Sequence, residues 1–267
     1  MLNQGKCSCG GEVMGKSVIQ YYNAYDEEAR LFRDYGHQIE WRTTMHYFGK
    51  VIPPGSRIFD GCAGTGRYAF QLAAEGHRVA ASDLVPSYVE KMLLKQEKNP
   101  ILKDIFVGDI CEPNHYGDGY FDVVLCMGAF YHLEETMRDR AMEQCLRLLK
   151  KEGILVLTYI NLMGALPLYL APGLENVEEI AEGYERRCFE EPFVYLLPEE
   201  MEELAQRHGL KILHHLTSDG NPYLRGEAFA GAKEEDFEKY MELHLKICEN
   251  RNAVGGGLHG LVFLARK

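Results

Sequence analysis

Between residues 57 and 159 short apolar runs alternate with longer stretches whose apolar positions recur at helical spacing. The runs 57–59, 78–81, 105–107, 121–127 and 153–159 read as strands, and 67–75, 86–97 and 135–149 as helices between them. Strands that are apolar on both faces and alternate with helices predict a parallel sheet covered on both sides, a doubly wound α/β architecture. Ahead of this unit, 16–50 is helical and dense in aromatics, with two helices expected to part near Gly36, and Pro53-Pro54-Gly55 breaks the chain. Residues 161–197 interrupt the rhythm with prolines, glycines and an acidic helical piece around 175–185. Beyond them come a helix at 198–208, a strand at 211–216, an amphipathic helix at 234–248, and a last strand at 260–265 after Gly255-Gly256-Gly257. The closing two strands make seven in all and, with one helix between them, predict an antiparallel hairpin-like edge to the sheet in which the last strand is antiparallel. The expected division is a helical cap at 1–50, a core domain at 51–160 and 198–267, and an insertion at 161–197.

The chain has 267 residues, 46% of them hydrophobic, enough for a sizeable core. A net charge of −11 argues against a protein whose main work is gripping phosphate backbones. No stretch has the 18 or so apolar residues of a membrane span, and the N-terminus lacks the apolar centre of a secretion signal. The eight cysteines are scattered, so reduced thiols and a cytoplasmic home are expected. Cys7-Ser8-Cys9 has no second ligand pair at a fitting distance, and no metal is expected. Met14 is read as the natural start, which would leave 1–13 outside the native protein.

Candidate chemistry concentrates after the first strand, in Asp60-Gly61-Cys62-Ala63-Gly64-Thr65-Gly66. A glycine turn between strand and helix lets a ligand approach backbone N–H groups. Dinucleotide enzymes space these glycines G-x-G-x-x-G; here they run G-x-x-G-x-G with an acid at the head, which opposes a pyrophosphate and suits an ammonium group. Asp83 ends the second strand, where an acid can accept ribose hydroxyls, and Asp109 follows the third. The plainer reading is that both aspartates cap helices. Three strands each ending in Asp on one sheet edge favour a ligand site.

These residues resemble the class I S-adenosylmethionine-dependent methyltransferases, whose loop is D-x-G-x-G-x-G; Cys62 stands in place of its first glycine. The resemblance runs over about 51–159 and resumes at 198–216 and 258–267, and is nearest to menaquinone- and ubiquinone-biosynthesis-type enzymes. It implies a Rossmann-like sheet and S-adenosylmethionine as cofactor. The loop from Asp60 to Gly66 would pack on the methionine part, Asp83 with Leu84 would hold the ribose, Asp109-Ile110 would flank the adenine, and Met127 would close the fourth strand's end. It also places an N-terminal helix over the cofactor, where Tyr21 and Tyr25, four residues apart, would share a face.

After the fourth strand stands Met127-Gly128-Ala129-Phe130-Tyr131-His132-Leu133. Methyltransferases acting on amino groups of nucleic acids or glutamine carry an Asn/Asp-Pro-Pro-Tyr/Phe loop at this place, so those acceptors are disfavoured. Methyl transfer asks for alignment and water exclusion, with a base for a phenol or thiol acceptor. His132 is the candidate base, against the plainer reading of a satisfied core histidine. Tyr131, Tyr169 and Phe193 are candidate pocket walls, and Arg186 a candidate for an acceptor carboxylate. The pair His214-His215 sits in a strand, one on each side. The expected function is methyl transfer to a small, apolar or aromatic molecule by a monomer or homodimer, with 161–197 as a substrate lid. RNA or protein methylation, nicotinamide-dependent oxidoreduction and non-catalytic nucleotide binding are the alternatives.

Overall fold

The structure is a computed structural model that describes residues 11–112, 116–221, 229 and 231–267, with side chains from Ser17 onward; Cys7 and Cys9 lie outside the described residues. Two helices open the chain, α1 (Gly11–Asn23) and α2 (Tyr35–Val51). Then follow β1 (Arg57–Asp60), α3 (Arg67–Ala74), β2 (Arg78–Asp83), α4 (Pro86–Lys98), β3 (Asp104–Val107) and β4 (Phe121–Cys126). The chain continues with α5 (Glu135–Leu148), β5 (Leu149–Ile160), α6 (Leu162–Leu170), α7 (Val177–Arg186) and α8 (Pro198–Arg207). It closes with β6 (Leu210–Thr217), α9 (Glu234–Ile247), α10 (Arg251–Gly256) and β7 (His259–Arg266).

The seven strands form one sheet in the order β3-β2-β1-β4-β5-β7-β6. All are parallel except β7, which runs antiparallel to both β5 and β6. Successive strand residues face opposite sides, and both sides are apolar. Val123 and Leu125 join Ile58, Phe263 and the α3–α4 residues Leu72 and Met92 on one face. Val124 and Cys126 join Phe59, Leu155 and the α5 and α8 residues Met142 and Leu204 on the other. The strand order reverses between β1 and β4, and there the carboxyl ends of an open α/β sheet leave a crevice.

Three local expectations are corrected. The N-terminal helices part at residues 24–34 and not at Gly36, because Asp34 caps α2 by accepting the His37 N–H at 2.9 Å, so Gly36 falls in the first helical turn. The 162–170 run is helical despite Gly164 and Pro167. Gly164 has a packing cause: a Cβ there would lie 2.0 Å from the Gly257 carbonyl oxygen. The triple glycine does not lead straight into the last strand, since Gly255 and Gly256 finish α10. The Asn161 amide donates to the carbonyls of Val254, Gly255 and Gly257, which holds that turn at the root of the insertion. Its oxygen accepts from Met163 N–H and caps α6. Residues 161–197 contribute to a small apolar cluster, with Tyr195 and Leu162 buried among Tyr169, Phe189 and Phe193 and against Ile160 and Leu258 of the core sheet region.

Candidate active site

A cavity of about 350 Å³ runs along the carboxyl edge of the sheet and beneath the N-terminal helices. At one end the β1–α3 loop contributes Gly61, Cys62 and Gly64, and the neighbouring strand ends contribute Asp83, Leu84, Asp109, Ile110 and Met127. Gly64 sits at φ +56°, a conformation glycine adopts without strain. Asp83 both caps and faces the cleft. Its carboxylate accepts the N–H groups of Val85 (2.9 Å) and Gly64 (2.7 Å), one on each oxygen, with the Leu84 N–H as a further donor, and two oxygens with four lone pairs keep capacity for a ligand. Asp109 takes the Cys111 N–H at 2.8 Å in the same manner. Burial pushes Asp83 up to about 6 despite these donors. Asp60, 2% exposed, lies outside the cavity wall; burial and the nearby Asp83 charge push it to about 7. Cys62 Sγ sits 4.0 Å from Cys126 Sγ, so the residue that replaces a glycine packs against a buried thiol.

The N-terminal segment roofs this end. Tyr21 and Tyr25 line the cavity with rings stacked at 5.9 Å, although α1 ends at Asn23 and the pair does not share one helix face. Tyr88 holds the segment by donating to the Tyr22 carbonyl at 3.0 Å. Glu27 lies over the glycine loop, with its Cγ 3.4 Å from where a Gly64 Cβ would stand.

The other end is aromatic and charged. Tyr131, His132 and Phe193 line it, and Tyr21 meets Phe193 edge to face at 5.1 Å. His132 is 5% exposed. Its Nδ1 lies 2.9 Å from the Pro192 carbonyl, which only accepts, so Nδ1 carries the proton and Nε2 accepts the Tyr22 hydroxyl at 2.8 Å. Burial pushes the ring down to about 4, so it is neutral near pH 7. Farther in, Arg30 grips Glu40 through two bonds (2.7 and 3.0 Å) and reaches Glu27 at 3.0 Å. His259 completes this wall, with Nδ1 facing Asp219.

Five expected residues are not in the wall. Asp60 lies beneath the loop. Ala63 donates its N–H to Ser82, and Gly66, at φ +85°, packs so closely that a Cβ would meet Met92 at 2.9 Å. Both hold the loop in shape. Tyr169 is turned into the insertion's core, where its hydroxyl meets that of Tyr195 at 2.9 Å. Arg186 is on the exposed face of α7, and its Nε bonds only the Glu182 carbonyl one turn back. His214 and His215 point to opposite sides as expected, one to Glu249 and one to Tyr159. Sequence reasoning missed Tyr22, Glu27, Arg30, Glu40 and His259. The one readable signal was for His259: an antiparallel last strand begins at the edge where the parallel strands end.

Residues 59–157 match a family described as a methyltransferase domain. Over this segment the chain is similar to S-adenosylmethionine-dependent methyltransferase domains. Over 112 residues the chain is 30% identical to the ubiquinone biosynthesis O-methyltransferase of Xanthomonas campestris pv. campestris (strain B100), covering 42% of this chain and 46% of that one. The match thus spans less than half the length of that relative. In fold, the chain superposes on the PH0226 protein of Pyrococcus horikoshii OT3 with a TM-score of 0.61 at 15% identity, covering 93% and 99% of the two chains. A SAM-dependent methyltransferase of Methanosarcina mazei gives 0.56 at 15% identity, covering 84% and 96%. The methyltransferase domain implies S-adenosylmethionine as its cofactor. The cradle fits it in three respects. The glycine loop stands open, a Gly64 side chain would fill the space under Glu27, and the Asp83 oxygens keep acceptor capacity toward the cavity.

Proposed function

We propose that the protein transfers the methyl group of S-adenosylmethionine to a small-molecule acceptor held between the N-terminal roof and the 161–197 lid. The observation that carries this is the continuity of one cavity from the strand-end acids to the aromatic wall of Tyr131 and Phe193. A cleft of this size, mostly apolar with a few convergent polar groups, suits a small ligand. The aromatic walls and the name of the distant O-methyltransferase relative support a ring-bearing acceptor with a hydroxyl group.

The sulfonium of the bound cofactor supplies a methyl group that is already activated. The chain's own residues therefore bind, orient and exclude water. Asp83 accepts the ribose hydroxyls with its remaining lone pairs, beside Leu84. Asp109 and Ile110 flank the adenine, and Gly61, Cys62, Ala63, Gly64 and Gly66 shape the loop along the methionine part. Asp60, beneath it, favours the ammonium group. Tyr21 and Tyr25 would cover the cofactor, and Met127 would line the cavity beside it. His132 stays neutral and offers Nε2 toward the cleft; for it to take a proton, an acceptor hydroxyl must displace the Tyr22 phenol. With Phe193 it also ties the lid to the roof, their rings 5.0 Å apart.

Isothermal titration with S-adenosylhomocysteine and, separately, NAD tests the cofactor end. Binding of the first and not the second is expected, and the reverse sinks the reading. Hydrogen exchange tests the lid: 161–197 should gain protection when cofactor product and acceptor are both present, and equal protection in both states removes its role. Radiolabelled methyl transfer to metabolite pools then finds the acceptor.

A further inference from the structure

We propose that Glu27 recognises the methyl donor by its charge: the carboxylate pairs with a positive centre on the methionine part, either the sulfonium or the ammonium group. The inference rests on the methyl-transfer reading above and goes beyond it, since Glu27 lies outside the glycine-loop motif. The residue stands in the roof segment between α1 and α2 and lines the cavity. It lies over the β1–α3 loop, with Cγ 3.4 Å, Oε1 3.9 Å and Cδ 4.0 Å from where a Gly64 Cβ would stand. A ligand lying along the loop at Gly64 is thus within reach of this carboxylate. Its place is fixed without a ligand. Tyr88 reaches the carbonyls of Tyr22 (3.0 Å) and Tyr25 (3.3 Å), and Arg67 donates to the Glu28 carbonyl at 2.8 Å.

The two oxygens of Glu27 are not used alike. Oε1 accepts the Arg30 Nε–H at 3.0 Å, and Oε2 has no hydrogen-bond partner among the described residues. Arg30 serves it only in part, since both terminal nitrogens of the guanidinium bond Glu40, at 2.7 and 3.0 Å. Burial accordingly holds the Glu27 carboxyl above the usual carboxylate range in spite of Arg30 beside it. Glu28, one residue on, shows the contrast. It takes Lys95 at 2.6 Å and Arg67 at 3.0 Å, and against the effect of burial the Lys95 contact above all holds its carboxyl below the usual range. Of these neighbouring acids, one is satisfied by the protein's own cations and the other faces the cleft. A buried carboxylate in that state gains from a cation that takes up Oε2, and a charge-assisted contact is stronger there than in solvent. The donor carries two such charges, its demethylated product keeps only the ammonium, and 5′-methylthioadenosine carries neither.

The test uses the full chain and isothermal titration with three probes, S-adenosylmethionine, S-adenosylhomocysteine and 5′-methylthioadenosine. Glu27→Gln keeps the shape and the acceptor toward Arg30 while removing the charge. It should weaken S-adenosylmethionine by ~10–100-fold, the scale of a lost charge-assisted contact, and leave 5′-methylthioadenosine within about twofold. S-adenosylhomocysteine separates the two sources. Affinity within about twofold of wild type assigns the sulfonium, and a fall equal to that of the donor assigns the ammonium. S-adenosylmethionine binding within about twofold of wild type overturns the proposal. So does an equal fall for 5′-methylthioadenosine, which would make Glu27 a shaper of the roof alone. A measurement on the wild-type protein stands even if the variant fails to fold. Residues 24–34 should gain more hydrogen-exchange protection with saturating S-adenosylmethionine than with saturating 5′-methylthioadenosine, and equal protection overturns the proposal. Failure of the wild-type protein to bind S-adenosylmethionine or S-adenosylhomocysteine overturns the methyl-transfer reading itself.

Discussion

The two ends of the cleft are built in different ways. The cofactor end is made largely of one continuous piece of chain, residues 60–110, and mostly of backbone: a glycine loop and aspartates that each take main-chain N–H groups. The aromatic end, where the acceptor is proposed to sit, is assembled from side chains far apart in sequence, with Tyr22 on His132 and Asp219 on His259. A site of the first kind is fixed by local conformation, so it tolerates little change in its backbone. A site of the second kind depends on how helices, lid and last strand come together, and can be re-specified by changing side chains while the sheet stays as it is.

The sharpest way to break this contrast is at Gly64. Gly64→Val should abolish S-adenosylhomocysteine binding in a titration, because its side chain fills the cradle beneath Glu27. The fold should survive at a cost of about 1–2 kcal/mol for a β-branched residue at positive φ, read from a thermal melt. If affinity survives, the cofactor end is not made of backbone. Next in size, Asp83→Ala should weaken the ligand by ~1.5–3 kcal/mol, the scale of a lost charge-assisted hydrogen bond. Wild-type affinity should also decline as pH falls through about 6, where Asp83 gains its proton and ceases to be a charged acceptor, and the Ala variant should lose that dependence.

How much of each end was legible follows from the same difference. The acids after β1, β2 and β3 and the glycines between them are local pattern, and local pattern survives in a sequence. Tyr21 and Tyr25 were found for a reason only half right, since they stack past the end of α1. Tyr169 and Arg186 were chosen by composition in a segment whose inside and outside only packing decides. Arg30 and Glu40 carry no local mark at all, because each becomes part of the site through a partner in another element, and His259 is marked only by the direction of the last strand. The alternation of strands and helices was readable in its order, though β5 begins at Leu149 and not at Gly153, while α6 and α10 were hidden by glycines and a proline that punctuate loops elsewhere.

Smaller effects separate support from chemistry. Asp60→Asn should stabilise the ligand-free protein at pH 8 by about 1–2 kcal/mol in a thermal melt. The sign follows from the raised value: an acid pushed to about 7 penalises the folded state above that pH, and the penalty is relieved as pH falls through 7 and is gone near 4. Equal melting points at pH 8 would mean that Asp60 is not strained by burial. The smallest change is expected at the residue that first looked most catalytic. His132→Ala should lower turnover less than tenfold with cofactor affinity unchanged, because a ring held near 4 is a poor proton acceptor at neutral pH. A loss of ~10²-fold or more would make His132 the base.

Glu27 over the glycine loop and Tyr22 on His132 belong to one short stretch of chain, anchored by Tyr88. On the reading proposed above, a donor seated beneath that stretch leaves most readily when it lifts, so the lifting and not the bond-making would set the tempo at which spent donor is exchanged.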